Sequence, residues 1–211
     1  MRAYPETLLP DARSLLADML DYAVGDAGED IDFFFGLFAV SDFARRIERG
    51  DRTVLMGQSG VELAQRILRD KAGRRRFPPA RQIFGRTPVY WCGWILAFYQ
   101  WHSNRTFLEI LEALPPSVIV QTYPTYHEAP EERFAEMADA MVRKRFPDTR
   151  LKRIRAAYGC SQSQLAAYSG VGLRAIQMYE QRRKDINRAA GETLRALSRA
   201  LGCDIDAILE P

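Results

Sequence analysis

SQSQLAAYSGVGLRAIQMYEQRRKD, residues Ser161 to Asp185, holds two short helices separated by a tight turn. Ser161-Gln-Ser-Gln164 is a capping box. The serine hydroxyl satisfies the N–H of Gln164, and the Gln164 amide reaches back to the N–H of Ser161. The helix it opens turns Leu165 inward, and small Ala166 lets a neighbouring helix approach closely. Ser169-Gly170 is a turn in which glycine supplies the positive φ that other residues resist. Val171 plugs the corner, and a second helix begins near Gly172. Ile176 and Tyr179, three apart, face the interior, which leaves Arg174, Gln177, Met178 and Gln181 on the opposite side.

The flanking sequence completes a small helical unit. Leu151 to Tyr158 reads as a helix closed by Gly159. Ala190 to Leu201 and Asp204 to Leu209 read as two more, whose Leu194, Leu197, Leu201, Ile205 and Leu209 close a core. Residues 150–211 are therefore expected to form five helices. They carry 11 Lys+Arg against 6 Asp+Glu, whereas residues 1–149 carry 19 against 21, so the net charge of +3 is unevenly shared. A basic block on a neutral chain is the footprint of a phosphate-binding module, although a solvated helix face can look the same. An exposed helix of this kind, entered into a DNA major groove, would read bases with its first residues. Arg174 could donate two bonds to a guanine and Gln177 could pair with an adenine, with apolar contact from Leu173 and Met178. Gln162, Gln181, Arg182, Arg183 and Lys184 are the expected phosphate contacts.

The run SQSQLAAYSGVGLRAIQMYEQRRKD followed by LRALSRALGCDIDAIL resembles the Xre/Cro repressor helix-turn-helix over about 60 of the 211 residues. The resemblance implies a five-helix, lambda-repressor-like domain that binds double-stranded DNA as a homodimer and regulates transcription, most simply as a repressor. It also implies an ion pair between Arg155 and Glu180. Gly172 stands where the family carries a polar cap, and Leu173 and Met178 stand where sequence-specific members are often polar.

Residues 1–147 read as a second, all-helical domain, with Pro147-Asp148-Thr149 as the hinge. Helices are expected over Asp11–Val24, from Gly28 to Gly50 as one element, over Val61–Lys71, Val89–His102, Phe107–Leu114 and Ser117–Tyr123, and from Pro130 to Phe146. Pro124 is expected to stop the sixth of these. The segment Gly73-Arg-Arg-Arg-Phe-Pro-Pro reads as a mobile basic loop, its triple arginine either solvated, an added phosphate contact or a surface for an acidic partner. YWCGWILAFYQWH, after the helix start Thr87-Pro88, is apolar nearly all round and should be the domain's central helix. Its Trp91, Trp94, Tyr99 and Trp101 are either packing or a partner surface, since Trp and Tyr are enriched at binding hot spots. The GQSGVELA, YWCGWILAFYQWHS and YPTYHEA runs are similar to bacterial Xre-type proteins encoded beside putative toxins. That likeness implies an antitoxin-like role in which this domain holds a protein partner.

Other function classes find little support. No stretch approaches the eighteen or so apolar residues of a membrane span, and the N-terminus shows no signal peptide, so a cytoplasmic location is expected. Cys92, Cys160 and Cys203 are too far apart for a zinc or disulfide framework. Neither His102 nor the His127-Glu128 pair belongs to a catalytic constellation. Gly57-Gln-Ser-Gly60 lacks the spacing of a nucleophile elbow and reads as a turn before a helix. No catalytic residue, metal ligand or cofactor is expected.

Overall fold

The computed structural model describes residues 2–81 and 87–210; Met1 and Pro211, the ends of the two expected domains, and residues 82–86 lie outside that description. The described residues are helical with no strand. They divide into two compact units, Met1–Arg145 and Phe146–Pro211.

In the first unit, α1 (Leu9–Asp21) runs into a π-helical turn, Tyr22–Asp26. Then come α2 (Ile31–Ala39), α3 (Asp42–Glu48) and α4 (Arg52–Leu55). The single helix expected from Gly28 to Gly50 is thus two. Ser41 leaves the helical backbone and accepts the N–H of Ala44, so a side-chain cap starts a new helix where apolar spacing alone suggests continuity. Next are α5 (Gly60–Ala72), with a Ser59–Glu62 capping box, and α6 (Pro88–Ser103), capped by Thr87. The unit ends with α7 (Phe107–Ala113), α8 (Pro116–Gln121), α9 (Tyr123–Tyr126) and α10 (Glu131–Arg145). Pro124 does not stop a helix. It sits in the first turn of α9, where its missing N–H has no partner to lose.

α6 is the axis of this unit, and α1 lies along it. A Cβ at Gly93 would meet the Leu16 carbonyl oxygen at 2.3 Å and the Ala17 Cα at 2.6 Å, so only glycine allows this approach of backbone to backbone. Most aromatic residues of α6 are buried. Tyr99 is fully buried and its hydroxyl donates to Asp139 at 2.8 Å. Trp101 is buried and donates to the Tyr4 carbonyl at 2.8 Å. Trp91 is buried edge-on against Tyr123 and Phe134. Trp94 is half-buried, bonded to Glu131 at 3.1 Å and covered by the Arg13 guanidinium. Of the partner surface weighed for Trp91, Trp94, Tyr99 and Trp101, the residues Trp91, Tyr99 and Trp101 are interior contacts, while Trp94 is half-buried and stacked on Tyr90.

The second unit contains α11 (Arg150–Ala157), α12 (Gln162–Ser169), α13 (Leu173–Glu180), a 3-10 turn (Ile186–Arg188), α14 (Gly191–Leu201) and α15 (Ile205–Ile208). Leu151, Leu165, Ile176, Tyr179, Ile186, Leu197, Leu201 and Ile208 form its core, with Leu194 packed at the margin. Ile208 closes this core rather than the expected Ile205 and Leu209. α15 is a single turn, and Leu209 lies past it in extended backbone. The expected hinge belongs to this unit as well. Thr149 is buried and caps α11 by accepting the N–H of Lys152, and the Pro147 carbonyl accepts from Arg182.

Candidate nucleic-acid interface

The exposed side of α12 and α13 is set by local sequence. At the start of α12 both halves of the capping box are made: Gln164 N–H to the Ser161 hydroxyl at 3.1 Å, and Ser161 N–H to the Gln164 amide oxygen at 2.8 Å. α12 ends at Gly170, whose φ of 72° reverses the chain. The Ser169 hydroxyl donates to Leu165 O at 2.7 Å and accepts the Val171 N–H at 3.2 Å, which fixes the turn. Gly172 then starts α13 with no side-chain cap, so the first-turn N–H groups of this helix are not blocked by their own cap.

Ile176 and Tyr179 anchor α13 from below. Leu173 and Arg174 at its first turn are exposed, as is Gln181 just past its end, and Gln177 and Met178 are half-exposed between them. These five share the face away from the core. Arg183 and Lys184 follow, both exposed. Their backbone N–H groups donate to Met178 O at 2.9 and 3.1 Å, and the Lys184 ammonium lies 5.4 Å from the Tyr179 ring centre.

Beneath this face lies a buried polar network. The Arg155 guanidinium meets the Glu180 carboxylate with two bonds, 2.6 and 2.9 Å, and its third nitrogen donates to Cys160 O at 2.7 Å. The Glu180 side chain is only 1% exposed and that of Arg155 12%. Hydrogen bonding to Glu180 raises the Arg155 pKa above its usual value. The Gln162 side-chain amide also donates to Glu180, at 2.7 Å. The structure thus brings the Gln162 amide to Glu180 through one of its two N–H donors.

Arg182 has a different place again. Its φ of 53° puts it in left-handed backbone, and its guanidinium donates to Pro147 O at 2.6 Å and lies 3.5 Å from Glu210. Glu210 in turn accepts the Arg150 N–H at 2.6 Å, and its backbone pairs both ways with the Asn187 side chain. Arg182, Asn187 and Glu210 therefore latch the two ends of the domain together. Sequence reading does not find this latch, because its partners are 23 to 60 positions apart and none lies in a local motif.

The helix-turn-helix family model matches residues 151–208. Residues 151–208 are a helix-turn-helix domain. No curated protein and no solved structure matches the chain. The match covers the C-terminal unit and gives a DNA-binding regulator domain; the N-terminal unit lies outside it. Within the N-terminal unit, His127 stacks on Tyr123 and lies 3.6 Å from Glu128, while His102 packs on Phe98. Burial lowers the His102 pKa, with the Arg2 charge adding to the effect. Among the described residues no group of three His, Cys, Asp or Glu side chains could hold a metal ion, and no helix is long and apolar enough to cross a membrane.

Proposed function

We propose that the helix-turn-helix domain reads a specific operator in duplex DNA and represses transcription from it, including that of its own gene. The observation that carries this reading is the exposed face of α13. Arg174 stands in the first turn without an acidic partner among the described residues, next to an uncapped helix start. Arg174 and Gln177 would contact base edges in the major groove, with Leu173 and Met178 giving apolar contact to thymine methyls. Gln181, Arg183, Lys184 and the N–H of Gln162 would hold phosphates, the last favoured by the helix dipole. Arg182 would act by positioning the loop that carries Arg183 and Lys184.

A single domain of this size offers few contacts, so the active species would be a homodimer on half-sites about 34 Å apart. The antitoxin-like alternative, with the N-terminal unit masking a protein partner, would need a face other than Trp91, Tyr99 and Trp101 of α6, which are buried. The test is a titration of the purified chain against its own upstream DNA and a scrambled duplex over a salt series. A preference of about a thousandfold with a steep salt slope is expected. Equal binding to both duplexes at every salt concentration would overturn sequence-specific reading.

A further inference from the structure

The N-terminal unit carries a concentration of positive charge that its own acids do not neutralise. Residues 66–81 hold seven Arg or Lys and one acid, Asp70, inside a segment, 1–149, whose overall balance is acidic. Two of the seven hold the surface together. Arg74 donates to Glu29 at 2.6 Å and to Ala27 O at 2.8 Å. Arg81 pairs with Asp26 and donates to Gly25 O. These acceptors lie in or just after the π turn, and Tyr22 from the same turn donates to Pro78 O at 2.7 Å while accepting from Gln65 of α5 at 3.1 Å. The chain leaving α5 is tied down at three points. This corrects its expectation as a mobile loop: guanidinium and phenol groups bind the carbonyls and carboxylates around the π turn.

The other five cations, Arg66, Arg69, Lys71, Arg75 and Arg76, are exposed, and none pairs with a carboxylate within 4 Å among the described residues. Arg66 and Arg69 stand three apart on α5, and the Phe77 ring packs 5.5 Å from the Arg69 guanidinium, which brings the 74–77 segment against the helix. A groove of about 290 Å³ runs beside them, lined by Gly57, Gln58, Glu62, Gln65, Arg66 and Arg69. Its one acid, Glu62, accepts the N–H and hydroxyl of Ser59 in the capping box, and those bonds hold its pKa below the usual value.

We infer that this basic face is a second contact surface for the phosphate backbone of duplex DNA, used when the helix-turn-helix domain is on its site. The inference rests on the DNA-reading function proposed above. Four of the five cations are arginines, whose planar donors match pairs of phosphate oxygens. Protein interfaces deplete charge at their centres and rely on aromatic anchors, whereas DNA interfaces are polar and strongly basic. Here the one aromatic ring, Phe77, lies against a guanidinium. Tethering supplies the rest: once one domain of a chain grips a duplex, a weakly basic face on the same chain meets phosphates intramolecularly, at an effective concentration of about millimolar. Because the segment is already tied to the π turn, little ordering entropy is lost on contact.

The full-length chain and the variant Arg69→Gln/Arg75→Gln/Arg76→Gln should be titrated over a salt series on two duplexes, one limited to the operator and one extended on both sides. On the extended duplex the variant is expected to flatten the slope of log K against log salt by about 2–3, since each lost phosphate contact removes about 0.9. Its preference for operator over scrambled sequence should be unchanged, and its slope on the short duplex should equal that of the parent chain. Arg75→Lys/Arg76→Lys should keep most of the parent slope, which separates charge from misfolding. Equal slopes for parent and variant on the extended duplex overturn the inference and leave an acidic protein as the better occupant. Equal flattening on both duplexes also overturns it, as a diffuse charge effect. Failure of the parent chain to bind either duplex would instead defeat the DNA-reading function itself, whereas parent binding sensitive to Arg174→Ala with no effect of the triple variant defeats only this surface.

Discussion

The interior of the N-terminal unit is built from large rings and close backbone contact: Phe34, Phe35, Phe38, Tyr99, Phe107 and Phe134 are all fully buried, and Gly93 lets α6 touch α1. The helix-turn-helix domain has few residues to bury. Its core is aliphatic apart from Tyr179 and one cysteine, and a bidentate ion pair spans it from α11 to the end of α13. A domain of roughly 60 residues buries a smaller share of its surface than a larger one, so each specific contact counts for more of its stability. The difference is measurable in one chain, because all three tryptophans, Trp91, Trp94 and Trp101, belong to the N-terminal unit. Tryptophan fluorescence follows that unit alone, while far-ultraviolet circular dichroism follows both.

The largest effect should come from Glu180→Ala. It leaves the Arg155 guanidinium, 12% exposed, without its counter-charge and removes the acceptor of Gln162. Breaking such a pair from one side costs about 3–5 kcal/mol. The helix-turn-helix domain should unfold at a much lower denaturant concentration while the tryptophan signal keeps its midpoint. If the fluorescence midpoint moved with the dichroism, the two units would be one cooperative body and the contrast between them would fail. Replacing both partners by leucine should recover much of the loss, since a buried pair is nearly neutral against apolar residues of like volume.

The mirror experiment is Gly93→Ala. A methyl group there overlaps backbone atoms of Leu16 and Ala17 rather than a flexible side chain, so α1 and α6 must separate. Overpacking of this kind costs up to about 3 kcal/mol. Here the fluorescence transition should fall and DNA binding by the C-terminal domain should survive at the temperature of assay. Loss of DNA binding together with the fluorescence transition would show that the domain depends on the N-terminal unit for its fold.

These two sites show what a sequence discloses and what it does not. The capping box at Ser161–Gln164 and the turn at Gly170 are local: every partner lies within three or four positions, so pattern and chemistry coincide. The apolar character of α6 is just as plain, and with it the helix's central position. Gly93 is not, because the backbone it touches belongs to another helix and nothing near position 93 announces the contact. The Arg155–Glu180 pair is visible through family resemblance alone, its members being 25 positions apart. Arg182 illustrates the opposite failure. Its neighbours Arg183 and Lys184 suggest a phosphate contact, yet its left-handed backbone turns it to Pro147 and Glu210. On the exposed face of α13, residue type and exposure are legible from helical periodicity, but any base that a side chain would meet depends on a duplex that the sequence does not contain.

Arg174→Ala tests the reading face without touching either core. Arg174 is exposed and makes no contact that holds α13 in place. Both unfolding transitions should therefore stay where they are, while binding to the operator weakens by about 1–3 kcal/mol and discrimination against scrambled duplex relaxes. Lys184→Ala, in contrast, should weaken all duplexes alike and reduce the salt slope by about 1. Unchanged affinity and discrimination in the Arg174 variant would sink the assignment of α13 as the reading helix.

The smallest effect separates the units by pH. Glu48, at the end of α3, is half-buried and accepts the Phe107 N–H at 2.7 Å. Burial pushes its carboxyl up to about 7, with Glu109 adding to the shift and the Phe107 bond opposing it. A carboxyl that binds its proton more tightly in the folded state favours folding most below the ordinary carboxylate range. That contribution declines as pH rises and is lost once pH passes through about 7. His102 works in the other direction at lower pH, because burial lowers its pKa and folding then competes with protonation below about 6.5. Between about pH 4.5 and 7 the Glu48 contribution to the fluorescence transition of the parent chain should accordingly fall, with little further change by pH 8. Glu48→Gln keeps an acceptor for the Phe107 N–H and never ionises, so it should remove that slope. It should gain about 1–2 kcal/mol over the parent at pH 8, a value reduced from the full shift for the exposure that remains, and almost nothing near pH 4. The helix-turn-helix transition of both proteins should be the same across this range. A variant whose advantage did not grow with pH would mean that water reaches Glu48 in the folded state and that the interior of the N-terminal unit is open at the junction of α3 and α7.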